Sequence, residues 1–166
     1  MQITGYKCFN EDLINRYGKK FEVGKIYRVE NTIKFGLDGN GYHLCKNMED
    51  TLRYFDAINK NVDICEVIGS GETQEYYDDY YGYYNMYAAS NLEIVKKLTR
   101  EEIITIALEL DAMRVIRFLA LYKLNEDEIN LFRRKFYNEP LVQDIISYYQ
   151  ECELDVFVKR KEYKHG

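Results

Sequence analysis

The chain has 166 residues, of which 46% are hydrophobic and 31% are charged, a balance that excludes a disordered or fibrous protein. A chain of this length buries about 70% of the surface that it exposes when unfolded, so it needs neither a metal ion nor a disulfide to fold. Its formal net charge of −5 argues against a general nucleic-acid binder, because phosphate binding needs a positive surface.

No segment of the sequence is typical of export or membrane insertion. The N-terminus lacks the basic and apolar regions of a signal peptide. The most apolar stretch, Met113–Leu121, is interrupted by Arg114 and Arg117 and is too polar to span a bilayer. We therefore expect a cytoplasmic protein that has no membrane partner.

The front half reads as short strands separated by glycine and asparagine. Strand-forming residues alternate loosely in Ile3–Phe9. Phe21–Val29 alternates apolar and polar residues on either side of Gly24, which predicts a strand with a break or bulge. Asn47 predicts the start of a helix, because its side chain can accept a hydrogen bond from the first turn. The elements predicted between residues 32 and 95 are strands over Thr32–Phe35, Tyr42–Cys45, Val62–Ile68, Met86–Ala89 and Leu92–Val95, and a helix over Met48–Ile58.

From Leu98 onward the pattern becomes helical. Thr99 and Glu102 have the spacing of a capping box, in which two side chains satisfy backbone N–H groups at a helix start. Asn125 and Glu128 repeat the same spacing 26 residues later. The two segments predict helices that begin close to Thr99 and Asn125.

Two further boundaries divide the helical half. Asp111 predicts a junction within Ile103–Tyr122, and Pro140 suits the first turn of another helix. The predicted fold class is therefore α+β. It consists of a mixed or antiparallel β-sheet domain with one flanking helix over residues 1–98, followed by a small C-terminal helical bundle over residues 99–166.

The cysteines do not show the spacing of a metal site or a disulfide framework. No C-x-x-C pair is present, and the only histidines are His43 and His165. His43 and Cys45 share one predicted strand face, but such close neighbours seldom reach the geometry of nucleophilic attack. Ordinary sheet residues are the favoured interpretation. We expect no disulfide and no zinc, and thiols that behave as small buried apolar groups, at Cys8, Cys45, Cys65 and Cys152.

An acidic, tyrosine-rich segment follows the predicted strands. Glu72–Tyr87 contains seven tyrosines and four acids, and no lysine or arginine occurs from Asn61 to Val95. One hypothesis is a protein-binding surface, in which carboxylates steer a basic partner and buried tyrosines anchor it. The alternative is an exposed loop that is acidic for solubility. The predicted partner-binding residues are Glu72, Glu75, Tyr76, Tyr77, Asp78, Asp79, Tyr80 and Tyr81.

Three spaced segments of the front half carry a resemblance to a known family. Ile3–Phe9, Phe21–Tyr27 and Gly41–Asn47, followed by Tyr54, resemble an uncharacterised domain of unknown function found in phage and bacterial proteins. The resemblance covers residues 1–98. It implies a setting in phages or other mobile elements, but it implies no activity.

Together with the acidic segment, this resemblance predicts a phage-type protein that binds and inhibits a host protein. The expected partner is a basic host protein, with a nucleic-acid-handling defence system as one version of this hypothesis. We expect no direct contact with nucleic acid, no cofactor and a location in the host cytoplasm.

The segment around Tyr42 is more distantly similar to ADP-ribosyltransferases of the toxin and polymerase type. Gly39, Gly41 and Tyr42 resemble that family's glycine-containing strand, and Tyr54 resembles its nicotinamide-stacking tyrosine. The family's first strand carries a histidine or arginine where this chain has Tyr6-Lys7. The resemblance implies an alternative function, an NAD-dependent transferase, whose candidate catalytic residues are Tyr42, Tyr54, Glu66 and Glu72.

Overall fold

The computed structural model describes residues 2–36, 39–76 and 86–151. The chain forms two compact units. The first unit contains Met1–Phe55 and Asn61–Thr99, and the second contains Asp56–Lys60 together with the chain from Arg100 onward.

The first unit is built on a five-stranded antiparallel sheet, and helices follow it in the chain, which confirms the predicted α+β class. The strand predicted over Ile3–Phe9 is present and extends to Asn10. The strand predicted over Tyr42–Cys45 has the same bounds in the structure. The strands are β1 (Ile3–Asn10), β2 (Ile26–Arg28), β3 (Tyr42–Cys45), β4 (Val62–Tyr76) and β5 (Met86–Lys97).

β4 and β5 form a long antiparallel pair to which every other strand is attached. Their register runs from Cys65 opposite Lys97 to Tyr76 opposite Met86. β1 pairs with the N-terminal part of β4, while β3 and β2 pair with successive parts of β5. β1 also pairs with β3. The strands β1, β4, β5 and β3 therefore close into a ring of pairings, with β2 attached outside it.

Two local features allow this ring to close. A Cβ atom on Gly5 would lie 2.5 Å from the carbonyl oxygen of Cys45, so only glycine lets the backbones of β1 and β3 approach this closely. β4 shifts register against β5 between Ser70 and Thr73, next to Gly71, whose φ is +78°. Such irregularities bend and twist a strand, which lets the long pair curve toward β1 and β3.

The core of the first unit combines strand residues with the loops that follow β1. Phe21 lies 5.2 Å from the ring centre of Phe9 and 4.6 Å from that of Tyr27. Leu44 and Ile94 belong to the same buried cluster. The core therefore holds loop and sheet together through contacts between residues far apart in the sequence.

The predicted strand over Phe21–Val29 is wrong for most of its length, because only Ile26–Arg28 is a strand. Gly24 has a φ of +87°, which turns the chain before the strand begins. The backbone N–H of Phe21 donates to the carbonyl oxygen of Leu13 at 2.9 Å, so it is bonded within a loop.

The predicted strand over Thr32–Phe35 is also absent. The side chain of Asn40 supplies hydrogen bonds that a neighbouring strand would otherwise provide. Its Oδ1 accepts from Lys34 N at 2.8 Å, and its Nδ2 donates to Thr32 O at 3.2 Å. An asparagine side chain thus replaces strand pairing in this loop.

The predicted helix over Met48–Ile58 is reduced to a 3₁₀ segment, Glu49–Tyr54. Asn47 does not cap it, since its Nδ2 donates to the Asp50 carboxylate at 3.1 Å instead. Conversely, the strand predicted over Val62–Ile68 continues to Tyr76, and the two strands predicted between Met86 and Val95 are one continuous strand.

The second unit is helical, and its boundaries confirm the predicted helix starts. α1 begins one residue after Thr99, and Asp111 caps α2 by accepting from Arg114 N at 2.9 Å. Asn125 caps α3 in a complete capping box with Glu128. The helices are α1 (Arg100–Leu108), α2 (Ala112–Leu121), α3 (Glu126–Lys135) and α4 (Pro140–Ile145), followed by a π-helical segment, Ile146–Glu151.

Buried Gln150 fixes the π-helical segment to the end of α2. Its Nε2 donates to the carbonyl oxygens of Leu119 and Tyr122, at 2.6 and 2.8 Å, and its Oε1 accepts from Leu124 N at 3.1 Å. The amide thereby satisfies helix-end groups that would otherwise be buried without partners.

Within residues 2–36, 39–76 and 86–151, no helix has the length and apolar character that a membrane span requires.

The capping box of α3 gives a direct test of the second unit. Asn125→Ala removes the acceptor for Glu128 N, which lies 2.9 Å from Asn125 Oδ1. We expect the free energy of unfolding to fall by about 1 kcal/mol, measured by urea denaturation. Asn138→Ala is the matched control, because Asn138 is exposed between α3 and α4. Equal stability of the two variants would contradict a stabilising cap.

Candidate functional site

A cavity of about 610 Å³ opens in the first unit where the ring of strands closes. One row of register partners crosses all four strands there: Tyr6 lies opposite Cys45, Cys45 opposite Met86, and Met86 opposite Tyr76. All four residues line the cavity. The same pairings that close the sheet therefore shape the wall of the cavity.

Tyrosines form much of the remaining surface. Tyr17 from the loop after β1 and Tyr54 from the 3₁₀ segment join Tyr6 and Tyr76 in the lining. The hydroxyl of Tyr76 accepts from Gly36 N at 2.8 Å, which ties the loop before β3 to the end of β4. These rings offer large apolar surfaces with polar edges.

The charged groups of this lining are cations. Lys7 and Arg16 belong to it, and no aspartate or glutamate is among its described residues. The guanidinium carbon of Arg16 lies 5.2 Å from the ring centre of Tyr54, which places the cation against an aromatic face. In a chain with a net charge of −5, this is a local reversal of sign.

Lys7 occupies an unusual position for a lysine. Its Nζ donates to the carbonyl oxygen of His43 at 2.7 Å and lies 5.8 Å from the ring centre of Phe9. Burial lowers the pKa of its ammonium to about 8, and the charge of Arg16 acts in the same direction. A large fraction of Lys7 is therefore neutral in mildly alkaline solution.

His43 retains solvent exposure but also contributes to the lining. The surrounding protein atoms, followed by the charges of Lys7 and Arg16, lower the pKa of its imidazole. Its ring centre lies 6.0 Å from that of Tyr76. The neutral form of His43 therefore predominates at pH 7, so this residue adds little positive charge.

The structure does not bring the four transferase candidates together in this cavity. Tyr54 lines it, whereas Tyr42, Glu66 and Glu72 are not among its described lining residues. Tyr42 packs against the core, where its hydroxyl donates to Arg28 O at 3.4 Å.

The two glutamates lie on β4. Glu66 is opposite Tyr6 and Lys96 in the two neighbouring strands. Glu72 is exposed, and its backbone N–H donates to Ser90 Oγ at 2.9 Å. Gly39 is also outside the described lining of the cavity.

The acidic segment is described only in part. Glu72 and Glu75 are exposed on β4, while Tyr76 is half-buried and turns into the cavity. The remaining predicted partner-binding residues, Tyr77, Asp78, Asp79, Tyr80 and Tyr81, lie outside the described residues.

Three cysteines are free thiols in buried positions, and Cys8 and Cys45 contribute to the cavity wall. Burial raises the pKa of the Cys45 and Cys65 thiols to about 12, and it also raises that of Cys8. Thiolate is therefore scarce at neutral pH, which makes Cys45 a poor nucleophile beside His43. Cys152 lies outside the described residues.

A metal site needs several converging donors. Among the residues that the structure describes, no group of three or more His, Cys, Asp or Glu side chains could hold an ion.

Sequence reasoning missed the cationic part of the cavity. One signal was available: Lys7 shares the strand parity of Ile3, Gly5 and Phe9, which are all buried. A charged residue at a core-facing position of a strand calls for a functional explanation. Arg16 gave no such signal, because a loop brings it to the cavity.

A family model described as "Domain of unknown function (DUF7666)" matches residues 3–106, more than half of the chain. No curated protein and no solved structure gives a significant match to the chain.

The raised pKa values predict unreactive thiols in the folded chain. At pH 8, we expect iodoacetamide to alkylate Cys45 and Cys65 at least about 100-fold more slowly in the native protein than in urea, because it attacks thiolate and burial also restricts access. Peptide mapping by mass spectrometry would follow each cysteine separately. Native alkylation of Cys45 at the rate found in urea would show an accessible thiolate.

Proposed function

The chain belongs to the DUF7666 family, and from the cavity within the matched residues we propose that this domain binds a small anionic molecule. The observation that carries the proposal is the pair Lys7 and Arg16 in a lining whose described residues include no carboxylate. Lys7 is half-buried and Arg16 is exposed at the cavity, and no acidic side chain of the described lining competes for them, so an anion that enters gains the attraction of both cations.

The dimensions and the aromatic lining of the cavity indicate what the uncharged part of the ligand would be. About 610 Å³ lies within the range of about 300–1,000 Å³ that is usual for small-molecule sites. Tyr6, Tyr54 and Tyr76 supply flat apolar surfaces that suit a planar group, whereas the ring of Tyr17 is largely exposed at the edge of the lining. A planar acid, such as an aromatic carboxylate or a phosphate ester of an aromatic alcohol, combines both requirements.

Arg16 is the residue that tests charge recognition, since a guanidinium binds carboxylate or phosphate oxygens in pairs. We expect an acid to bind at least about 10-fold more tightly than its uncharged counterpart, and Arg16→Gln to remove most of that difference, because a hydrogen bond to a charged group contributes about 1.5–3 kcal/mol. Calorimetry would compare pyridoxine 5′-phosphate with pyridoxine, adenosine 5′-monophosphate with adenosine, and 4-hydroxybenzoate with 4-hydroxybenzamide.

The matched control for this experiment is Arg28→Gln. It removes the same charge from an exposed residue of β2 outside the described lining. Uncharged compounds that bind as well as their acids, or a set of acids that does not bind at all, would contradict the proposal.

A second candidate function is supported by the exposure of Glu72 and Glu75 on β4. We propose that the acidic segment also steers a basic protein toward the end of the β4–β5 pair. In a phage setting, the partner is a basic host protein in the cytoplasm, such as a nucleic-acid-handling component of a defence system. Carboxylates that steer a partner accelerate association, and salt screens this effect over about 8 Å at physiological ionic strength.

Charge reversal tests this second candidate. After a partner has been identified by pull-down from host lysate, we expect Asp78→Lys with Asp79→Lys, and separately Glu72→Lys with Glu75→Lys, to lower its association rate about 10-fold at low salt. Glu11→Lys with Glu30→Lys is the control, since both residues are exposed and lie outside the acidic segment. Surface plasmon resonance at two salt concentrations would measure the rates. Unchanged association in both double variants would identify the segment as a solvated loop.

A further inference from the structure

We propose that Lys7 is a reactive amine that condenses with the carbonyl group of an anionic aldehyde or ketone in the cavity, a step that rests on the anion-binding function proposed above. The product is an imine between Lys7 Nζ and the carbonyl carbon of the ligand. This assigns a covalent binding site to the cavity and narrows the ligand class to oxo acids and aldehydes that carry a phosphate or carboxylate.

The position of Lys7 in the sheet holds its amine in place. β1 pairs with β4 along its whole length and with β3 at Tyr6, the residue next to Lys7. The hydrogen bond from Lys7 Nζ to His43 O, at 2.7 Å, orients the end of the side chain. A lysine on an exposed strand has no comparable restraint, and reactions at a fixed amine avoid the entropic cost of ordering it.

The surroundings of Lys7 favour its neutral form. Its burial and the charge of Arg16 both act against protonation, which lowers the pKa to about 8. The protonated thiols of Cys8, Cys45 and Cys65 provide no counter-charge near neutral pH, and neither does the neutral imidazole of His43. The phenols in the lining are those of Tyr6, Tyr17, Tyr54 and Tyr76.

The chemistry requires only the free amine and the carbonyl compound. The lone pair of neutral Nζ attacks the carbonyl carbon, a C–N bond forms, and a proton moves from nitrogen to oxygen. The resulting carbinolamine loses water as the C–O bond breaks and the C=N bond forms. Nothing is oxidised or reduced. Arg16 contributes by binding the acidic group of the ligand, which brings the carbonyl group to the amine.

Pyridoxal 5′-phosphate is a suitable probe, because it is planar, anionic and an aldehyde. The folded full chain would be incubated with it, reduced with borohydride, and mapped by mass spectrometry. At pH 7.5, a group with a pKa of about 8 is neutral in roughly a quarter of molecules, whereas an ordinary lysine is neutral in about one in a thousand. We therefore expect labelling of Lys7 at least about 10-fold faster than that of exposed Lys46.

The pH dependence adds a second readout. Labelling of Lys7 should rise from pH 6 and level off above about pH 8, where its neutral form predominates, while labelling of exposed lysines continues to rise toward pH 10. Lys7→Arg should remove the fast adduct while keeping a positive charge, and Lys46→Arg should leave it unchanged. In the unsubstituted protein, pyridoxine 5′-phosphate should occupy the cavity and slow the labelling of Lys7. This measurement locates the fast adduct without a substitution at Lys7.

The outcomes distinguish imine formation at Lys7 from anion binding in the cavity. Labelling of Lys7 no faster than that of Lys46 overturns the imine proposal. If pyridoxine 5′-phosphate, which has no aldehyde, still binds in an Arg16-dependent manner, the anion-binding function stands without the covalent step. If neither compound binds, both proposals fail.

Discussion

The pairing of β4 with β5 is the constraint on which the rest of the first unit depends. These two strands contribute 15 and 12 residues, and each of the three other strands is attached to one of them. Their curvature brings β1 on one side and β3 on the other into contact, so that the sheet closes on itself. The cavity lies at this closure, where Tyr6, Cys45, Met86 and Tyr76 follow one another across the strands.

This arrangement also explains how an acidic surface and a cavity with positive charges can share one strand. Successive residues of a strand point to opposite sides of the sheet. Glu75 is exposed to solvent, whereas Tyr76, the next residue, lines a cavity whose described charges are positive. A single strand can therefore present an acidic outer surface and also line a cavity that contains positive charges. Net charge alone, which is −5 for the chain, conceals this division.

Local signals in the sequence were sufficient for much of the fold. Helix starts at Asp111 and Asn125 depend on side chains that bond within their own first turn, so nearby residues determine them. Phe21–Val29 failed as a strand because Gly24 turns the chain and Phe21 bonds to a distant loop residue. Periodicity could not predict that outcome, because the competing hydrogen bonds come from residues outside the segment.

The site was less predictable, because its residues also come from parts of the chain that are far apart in the sequence. Tyr54 and Tyr76 were singled out from the sequence, but for two different hypotheses, and the structure brings both to one cavity. Arg16 reaches it through a loop in which Asp12 and Leu13 have positive φ angles of 68° and 58°, conformations that these residue types adopt infrequently. The strand parity of Lys7 was the one local sign of a charged group in an apolar position.

The division of the chain into two units has a consequence for how such a protein can evolve. Asp56–Lys60 belongs to the helical unit, although it lies between segments of the sheet unit. Within the helical unit, Lys123 N donates to Ala57 O at 3.2 Å, and Ala57 is buried. Recombination that exchanged everything after Leu98 would bring in helices that had evolved together with a different segment at positions 56–60. The two units are thus expected to be inherited together, and sequence changes in Asp56–Lys60 should correlate with changes in the helices rather than with changes in the neighbouring strands.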